Sequence, residues 1–341
     1  MTTSPAKLPP RTGAPPPWKV VAAFATIYIV WGSTYLAIKW AVEGCPPFLM
    51  AGARFFTAGA ILYAFALWRG APRVEPAHWK SAWISGALLL LIGNGCVAWA
   101  LPRLPSGAAS LFIATTPLWI VGIDSTLSGR RPGLQVILGL LMGCVGLVLL
   151  ALPRGVSLGA GTDPYASFAL IVGPICWAAG SIYSRDARMH PSSFLSAGLQ
   201  QLTGGAMLIA AGLLAGEGPL LDLQKAPARA YLSFFYLLTV GSLVAFTAYT
   251  WLIQNVSAAK VATYAYVNPV VALFLGWLFN GEPLGRETLI AAAVILAAVV
   301  LITFDRIRGE GRREPQPGSL RQGEGLEGGA ELGGVEAGRR G

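Results

Sequence analysis

Long apolar stretches recur along this chain at nearly regular intervals, and short segments that carry most of the charged residues separate them. Each stretch is about 20 residues long, the length that a helix needs to cross the hydrocarbon core of a bilayer. We predict helices there because a lipid-exposed backbone must satisfy its hydrogen bonds internally. The ten predicted spans are 19–41, 47–68, 79–101, 106–127, 133–152, 165–186, 192–215, 230–253, 257–279 and 284–304.

The second half of the chain repeats the first. A shift of 146 positions superposes Trp31 on Trp177, Phe48 on Phe194, Gly52 on Gly198 and Gly59 on Gly205. A shift of 152 positions superposes Trp99 on Trp251, Pro117 on Pro269 and Gly129 on Gly281. Because each half has five spans, an odd number, the second copy must have the opposite orientation in the membrane. The sequence therefore predicts an all-α membrane protein, with ten transmembrane helices arranged as two inverted five-helix repeats around a shared site.

The repeats are predicted at residues 18–152 and 165–304. Residues 1–17 are rich in Pro, Ser and Thr, and residues 305–341 are rich in Gly, Glu and Arg. Both segments lack apolar periodicity and are predicted to be disordered tails.

The composition agrees with a membrane-embedded chain, since 54% of the residues are apolar, 12% are charged and the mean hydropathy is +0.59. A soluble domain has about twice that share of charged residues. The net charge of +9 does not predict nucleic-acid binding, because Lys and Arg lie beside span ends on alternate loops. By the positive-inside rule the richer side is cytoplasmic, with both termini inside the cell. The Gly129-Arg130 and Gly281-Glu282 turns have opposite charge, as inverted repeats require.

The first span carries three residues at spacing i, i+4 and i+8, which places them on one helix face: Trp31, Tyr35 and Lys39. The matching stripe of the sixth span holds Trp177, Ser181 and Arg185. We predict that the aromatic residues and Ser181 line a substrate cavity. The alternative is that Trp31 packs between helices while Tyr35 reaches the interface. Lys39 and Arg185 are predicted to anchor the helices at the interface.

The ninth span carries a second stripe with the same spacing: Lys260, Tyr264 and Asn268. Pro269 follows directly, and its missing N–H leaves one helix carbonyl without a donor. We predict a local break there that exposes polar backbone to a cavity, with Tyr264 and Asn268 in contact with substrate. The alternative is a packed kink. The counterparts in the fourth span, which are Ala108, Phe112 and Thr116, are less polar, so substrate contacts are expected to be asymmetric.

Two more polar residues within spans are candidate substrate contacts, because polar groups at that depth are costly. Arg54 is seven residues into the second span, about 10 Å below the surface at about 1.5 Å per residue. It is predicted either to attract a substrate carboxylate or to pair with Glu43 or with helix carbonyls. Asn94 in the third span is the second candidate, and it can also bridge helices.

Other chemistry is not predicted. Asp124, the only carboxylate well within a span, lies near a cytoplasmic span end and is expected to pair with Arg130 or Arg131; the alternative is that it is the titratable group of a proton-coupled carrier. The cysteines have no CxxC spacing and no neighbouring histidine, so they are expected to pack as small apolar residues, without a metal site. They are Cys45, Cys96, Cys144 and Cys176. No catalytic residues and no cofactor are predicted, and the chain is not expected to be an enzyme.

Four motifs carry a family resemblance: Trp31-Gly32-Ser33-Thr34-Tyr35, Pro46-Pro47-Phe48, Ala53-Arg54-Phe55, and Asn268-Pro269 followed by Gly281-Glu282. Over about residues 18–304 the chain resembles the drug/metabolite transporter superfamily, in its EamA-type group of exporters. The resemblance implies efflux of small metabolites such as amino acids, or of toxic amphipathic compounds, across a bacterial inner membrane. Gly129-Arg130 departs from the Gly-Glu turn that members often carry in both halves.

The sequence therefore predicts alternating-access transport of a small-molecule substrate across the lipid bilayer. A passive channel is one alternative, and it would need rings of like polar groups along a continuous path. An intramembrane enzyme acting on a lipid-linked substrate is the other, and it would need a catalytic constellation. One chain supplies both repeats, so a monomer can suffice.

Overall fold

The structure, a computed structural model, describes residues 15–104, 112–129, 131–151, 163–280 and 285–304. Every regular element in these ranges is a helix, which confirms the predicted all-α class. The helices are α1 (Pro17–Ala41), α2 (Pro47–Trp68), α3 (Pro76–Arg103), α4 (Thr116–Ser128), α5 (Leu134–Ala151), α6 (Pro164–Asp186), α7 (Ser193–Leu214), α8 (Ala228–Asn255), α9 (Ala258–Ala262), α10 (Tyr264–Asn280) and α11 (Arg286–Phe304).

Six helices within these ranges are long and apolar enough to cross a membrane: α1, α2, α3, α6, α7 and α8. Helices α5 and α11 contain shorter apolar stretches, Leu134–Leu149 and Leu289–Thr303. Large apolar side chains such as Ile29, Leu141 and Leu296 are exposed on the bundle. An apolar exterior of this kind fits a lipid environment.

Several residues used in the sequence predictions lie outside the described residues. They are residues 1–14 and 305–341 of the predicted tails, Ala108, Arg130, and Gly281, Glu282 and Pro283.

Helices α3 and α8 each contain a π-helical segment, at Ala87–Asn94 and Leu237–Phe246. The shift of 152 positions maps the first segment onto residues 239–246, so the two segments occupy equivalent places in the two halves. π-Helical backbone is rare in proteins, and where it occurs it often lies at a functional site. The apolar pattern did not predict these segments, because a wider hydrogen-bond spacing leaves the composition of the stretch unchanged.

The ninth span is interrupted, but not at Pro269 as predicted. Pro269 lies inside α10, and the interruption falls six residues earlier, at Thr263 between α9 and α10. Thr263 satisfies its own polar groups there, since its backbone N–H and its hydroxyl both donate to the carbonyl of Lys260. The carbonyl that loses its donor to Pro269 belongs to Ala265, beside this turn.

Helices α2 and α7, which the repeat makes equivalent, are in backbone contact. A Cβ added at Gly59 would lie 2.3 Å from the backbone nitrogen of Leu202, and one at Gly205 would lie 2.3 Å from that of Phe56. Only glycine permits such an approach. The neighbouring pairs are Gly59 with Leu202, Phe56 with Gly205, and Gly52 with Ile209. Residue numbers rise along one helix as they fall along the other, so the two helices are antiparallel.

The last helices of the two halves, α5 and α11, make the same kind of contact. Gly139 faces Ile302 and Gly146 faces Ile295, which again is an antiparallel order. The ring of Tyr266 packs against Gly143 on the same stripe, and its hydroxyl donates to the carbonyl of Leu140 at 3.2 Å. Glycines thus hold equivalent helices together at two separate places in the fold.

Loop contacts define two ends of the bundle. At one end, here called the histidine face, Arg188 pairs with Glu75 at 3.1 Å, and the rings of His78 and His190 lie 5.0 Å apart. At the other end, the Glu43 face, Arg229 Nε donates to Glu43 at 2.7 Å. The loops before α3 and after α6 therefore share one face, and the loops before α2 and before α8 share the other. This grouping agrees with the alternation of loops predicted from charge.

His190 is buried on the histidine face, and its hydrogen bonds fit the neutral form of the ring. Its Nδ1 accepts the backbone N–H of Ser192 at 3.1 Å, and its Nε2 lies 3.3 Å from the carbonyl oxygen of Pro72. Burial, and then the neighbouring His78 ring, lower the pKa of His190 below its ordinary value, while the hydrogen bonds with Pro72 and Ser192 and then the Glu75 carboxylate oppose this shift in part.

We expect the unfolding temperature of the detergent-solubilised protein to fall as the pH is lowered below about 6.5. The unfolded chain binds a proton on His190 near that pH. The folded chain binds it only at lower pH, so the stabilisation is complete above about pH 6.5 and is lost as the pH falls. Unfolding temperatures of the wild type and of His190→Gln between pH 7.5 and 5 measure this effect. Equal decreases in the two proteins would contradict it.

Candidate functional site

A cavity of about 90 Å³ lies within the bundle. The space holds several water molecules or a small organic group. The lining residues are Trp31, Thr34, Tyr35 and Ile38 of α1; Arg54 and Phe55 of α2; Gly93, Asn94 and Val97 of α3; Ile113; Thr116 of α4; Gly173, Pro174 and Trp177 of α6; Gly241 and Phe246 of α8; and Tyr264 and Asn268 of α10. Seven of the eight predicted contact residues line this one cavity, although they come from five helices.

The cavity is displaced toward the Glu43 face. On α1 the lining residues run from Trp31 to Ile38, toward the end of the helix at Ala41. On α2, which begins at this face, Arg54 and Phe55 lie in the first three turns. A longer part of α1 and of α2 therefore lies on the histidine side of the cavity than on the Glu43 side.

An aromatic layer, consisting of Trp31, Trp177, Tyr249 and Tyr264, closes the histidine side of the cavity. The ring centroid of Trp31 lies 5.6 Å from that of Trp177, 5.0 Å from that of Tyr249 and 4.9 Å from that of Tyr264. The contacts of Trp31 with Trp177 and with Tyr264 are edge-to-face, an arrangement that aromatic rings favour. Trp31 and Trp177 are repeat equivalents, so the two halves of the protein meet in this layer.

Ser181, the eighth predicted contact residue, does not line the cavity. It is buried behind the aromatic layer, where its hydroxyl donates to the carbonyl of Trp177 at 2.6 Å and bonds to the hydroxyl of Tyr249. The indole Nε1 of Trp177 also donates to the Tyr249 hydroxyl, at 3.1 Å. Ser181 therefore fixes the orientation of Tyr249 and does not face the cavity.

Sequence reasoning missed Tyr249, which joins the aromatic layer from α8. Its ring is fully buried and its hydroxyl takes part in two side-chain hydrogen bonds. The available signal was a tyrosine deep within an apolar span, since a buried phenol must find a hydrogen-bond partner. Thr34, and Gly241 of the second π-segment, were also missed as lining residues.

Arg54 is 5% exposed, and its side chain borders the cavity. The predicted pair with Glu43 does not form, because Glu43 is bound to Arg229. Within the described residues no carboxylate lies at ion-pair distance from Arg54, and its buried Nε has no hydrogen-bond partner. The guanidinium carbon lies 4.0 Å from the centre of the Phe55 ring, which gives a cation–π contact.

Asn268 is 1% exposed and its side-chain oxygen has no partner among the described residues. Helix α1 packs closely against α10 here, since a Cβ added at Gly32 would lie 3.1 Å from the backbone carbonyl oxygen of Asn268. A buried amide oxygen without a donor is costly unless a ligand or a water molecule supplies one. Asn94 and Thr116 add further polar groups to the cavity.

Asp124 pairs with Arg185; of its two predicted partners, Arg131 does not bind it and Arg130 lies outside the described residues. The Arg185 Nη1 donates to Asp124 at 2.7 Å, and Arg185 Nε donates to Asp186 at 2.8 Å. Arg185 is thus part of a partly buried ion cluster between α4 and α6 rather than a free interface anchor. Lys39 is exposed near the end of α1, as an interface anchor would be, and Lys260 does not line the cavity.

The described residues contain no group of three or more His, Cys, Asp or Glu side chains that could hold a metal ion. All four cysteines are free thiols. Burial, and then the nearby Glu217 carboxylate, raise the pKa of Cys45 to about 11. This thiol therefore stays protonated at neutral pH and is a weak nucleophile.

Two similar halves that enclose a small, partly polar cavity within an apolar helical bundle define the class of membrane transporters. The EamA-like transporter family matches the chain twice, at residues 18–152 and at residues 164–304. The chain therefore belongs to the EamA-like transporter family.

The chain is also similar to individual transporters and related proteins, and to a solved structure. The chain is 38% identical over 288 residues to the uncharacterized inner membrane transporter YedA of Escherichia coli, and the match covers 83% of this chain and 90% of that protein. It is 28% identical over 285 residues to a chloroplastic WAT1-related protein of Arabidopsis thaliana, covering 81% of this chain and 67% of that protein. A solved crystal structure with 23% identity has the same fold, with a TM-score of 0.68 over 86% of this chain and 99% of that one.

Proposed function

We propose that this chain is an exporter of a bacterial inner membrane, which moves small metabolites such as amino acids, or toxic amphipathic compounds, outward by alternating access. Ten membrane-crossing helices form two inverted five-helix repeats, in which α9 and α10 make up one broken span. The histidine face and both termini are cytoplasmic. The substrate occupies the cavity, in contact with Trp31, Tyr35, Arg54, Asn94, Trp177, Tyr264 and Asn268.

The antiparallel contact of equivalent helices is the observation that carries this proposal. Repeats of opposite orientation bring equivalent helices together in antiparallel pairs, whereas repeats of the same orientation would bring them together in parallel. Both α2 with α7 and α5 with α11 are antiparallel. Inverted repeats around a mid-membrane site are the architecture in which one half rocks against the other to alternate access. The inner-membrane location is supported by the name of the relative YedA.

Closure on one side of the cavity supports a cycle with two states. The aromatic layer separates the cavity from the histidine face, and behind it Tyr28 and Thr263 are joined by a hydrogen bond of 2.6 Å between their hydroxyls. The Asp124–Arg185 pair links α4 to α6 on the same side. For a substrate to reach the cavity from the cytoplasm, these contacts must separate. We therefore propose that the described conformation is one in which the cytoplasmic side is closed.

A carrier is favoured over a channel because the aromatic layer interrupts the polar path that a channel needs. An intramembrane enzyme on a lipid-linked substrate has no support from the name of the family or from that of the relative YedA, since both names describe a transporter.

The orientation of the repeats is tested with single cysteines at Arg131 and Gly285, placed in a variant whose four native cysteines are alanine. These positions lie in nearly equivalent turns, ahead of α5 and α11. We expect a membrane-impermeant maleimide to label Arg131→Cys only from the cytoplasm and Gly285→Cys only from outside. Labelling of both from one side would refute the inverted arrangement.

Transport is tested in two stages. Cells that overexpress the chain are grown with amino acids, amino-acid analogues, aromatic acids and cationic drugs, and the compounds that become tolerated are identified. Each such compound is then loaded, with a radioactive label, into proteoliposomes that contain the purified protein. We expect saturable efflux that accelerates when the unlabelled compound is added outside. Efflux that neither saturates nor accelerates would identify a channel.

A further inference from the structure

We infer that the substrate is a small organic anion with an apolar body, and that the Arg54 guanidinium binds its negative charge. This inference rests on the proposed function, because it names the class of compound that the cavity accepts. It is carried by one juxtaposition: a buried, positively charged side chain, with no acidic partner among the described residues, borders a cavity that aromatic rings also line.

The charge of Arg54 has no counterpart in the described part of the chain. Arginine stays protonated in proteins, so its burial within the bundle is costly unless an anion compensates it. The five ion pairs between described residues use other arginines and a lysine, and Glu43, the nearest acidic candidate in sequence, is occupied by Arg229. The Phe55 ring compensates only part of this cost. A carboxylate in the cavity would supply the missing charge and, through two oxygens, would match the planar guanidinium.

The repeat equivalent of Arg54 behaves differently. Gln200 is neutral and lies in a satisfied network, since its amide donates to the Ser196 carbonyl at 3.2 Å and its oxygen accepts from Ser184 at 3.5 Å. A residue that served packing alone in both halves would be expected to have similar partners in both. Of the two equivalent helices, α2 therefore carries a positive charge at this position and α7 does not. The Arg54 charge makes the electrostatic potential of the cavity asymmetric.

The other walls of the cavity indicate what the rest of the substrate is. None of the described lining residues is acidic, so a substrate ammonium group would meet the Arg54 charge without a carboxylate to offset it. The rings of Trp31 and Trp177, with Phe246, offer an apolar surface of the kind that binds an aliphatic or aromatic body. The Asn268 oxygen lacks a donor, and a substrate hydroxyl or amide can provide one. A net monoanion therefore fits this cavity better than a cationic drug.

Binding of three probes of nearly equal size tests the inference: benzoate, benzyl alcohol and benzylammonium at pH 8, on the purified full chain in detergent. We expect the wild type to bind benzoate at least about tenfold more tightly than benzyl alcohol, because a charged hydrogen bond is worth about that factor or more. Arg54→Met should lose this preference while binding benzyl alcohol as the wild type does. Arg54→Lys should keep part of it. Arg103→Met, which removes an exposed arginine near the Glu43 face, serves as the matched control and should leave all three affinities unchanged.

The unfolding temperature without ligand separates binding from a structural role. Removal of an unpaired buried charge is expected to raise it in Arg54→Met. A lower unfolding temperature together with loss of benzyl alcohol binding would show that Arg54 holds the fold, and would overturn the inference. Tighter wild-type binding of benzylammonium than of benzoate would overturn it as well. Both of these results leave the proposed exporter function standing, whereas efflux without saturation or acceleration would remove that function and leave the charge preference measurable.

Discussion

Replacing Gly59 with valine is expected to prevent this protein from forming its helical bundle. A Cβ at this position would lie 2.3 Å from the backbone nitrogen of Leu202 and 2.8 Å from the carbonyl oxygen of Gly198. These are backbone atoms of α7, so no side-chain rotation can relieve the overlap, and α2 and α7 must separate. Overpacking that side chains can absorb costs about 1–3 kcal/mol. We expect Gly59→Val to exceed that range and to abolish the monodisperse peak of the solubilised protein in size-exclusion chromatography.

Gly122 provides a matched control, because it lies within α4 and a Cβ there would meet nothing within 4 Å. Gly122→Val should change stability by no more than about 1 kcal/mol, the range of helix propensity. Gly59→Ala should lie between the two variants. If Gly59→Val and Gly122→Val express and elute alike, the close backbone contact between Gly59 of α2 and Leu202 of α7 does not exist.

Most of the residues predicted as substrate contacts line the cavity, because two regularities of the sequence act together. The spacing i, i+4, i+8 fixes which residues share a helix face, and the repeat transfers a prediction from one half to the other. Trp31 and Trp177 were predicted in this way, and the structure brings their rings into contact. Neither regularity depends on how the helices are arranged in space.

Which charged side chains form ion pairs does depend on the arrangement of the helices in space, and the ion pairs predicted from the sequence were wrong. Arg130 and Arg131 are near Asp124 along the chain, yet Arg185 of α6 binds it, because α4 and α6 pack side by side. Arg229, which lies far from Glu43 in sequence, binds Glu43 for the same kind of reason. The position of the break at Thr263 and the two π-segments were also missed. All three are changes in backbone hydrogen bonding that do not alter the pattern of apolar residues.

Differences between the two halves account for the side on which the cavity is closed. The shift of 152 positions maps Tyr249 onto Val97 and Tyr264 onto Phe112. On the histidine side, the two tyrosines pack against Trp31, and the hydroxyl of Tyr249 is held by Ser181 and Trp177. On the Glu43 side, the equivalent positions carry apolar side chains without hydroxyls. Among the described residues, this difference places the closed aromatic layer with hydrogen-bonded rings on the histidine side.

Replacement of Trp31 with alanine is the change expected to have the largest effect on transport by the folded protein. Trp31 contacts three rings of the aromatic layer and also lines the cavity, so its removal takes away a proposed substrate contact and the closure of the histidine side. Each aromatic pair contributes about 0.5–1.5 kcal/mol beyond the burial of its surface. Loss of three pairs is expected to reduce saturable efflux from proteoliposomes at least about tenfold, measured with a compound from the tolerance screen.

Trp83→Ala is the matched control, because Trp83 is a 48% exposed tryptophan on α3 that does not line the cavity. It should transport like the wild type. Trp31→Phe keeps an aromatic ring and should retain more efflux than Trp31→Ala, while the unfolding temperatures of all three variants show how much of any loss comes from stability. Wild-type efflux by a well-folded Trp31→Ala protein would mean that substrate crosses elsewhere, because a carrier cannot lose the central ring of its closed layer and still alternate access to the same cavity.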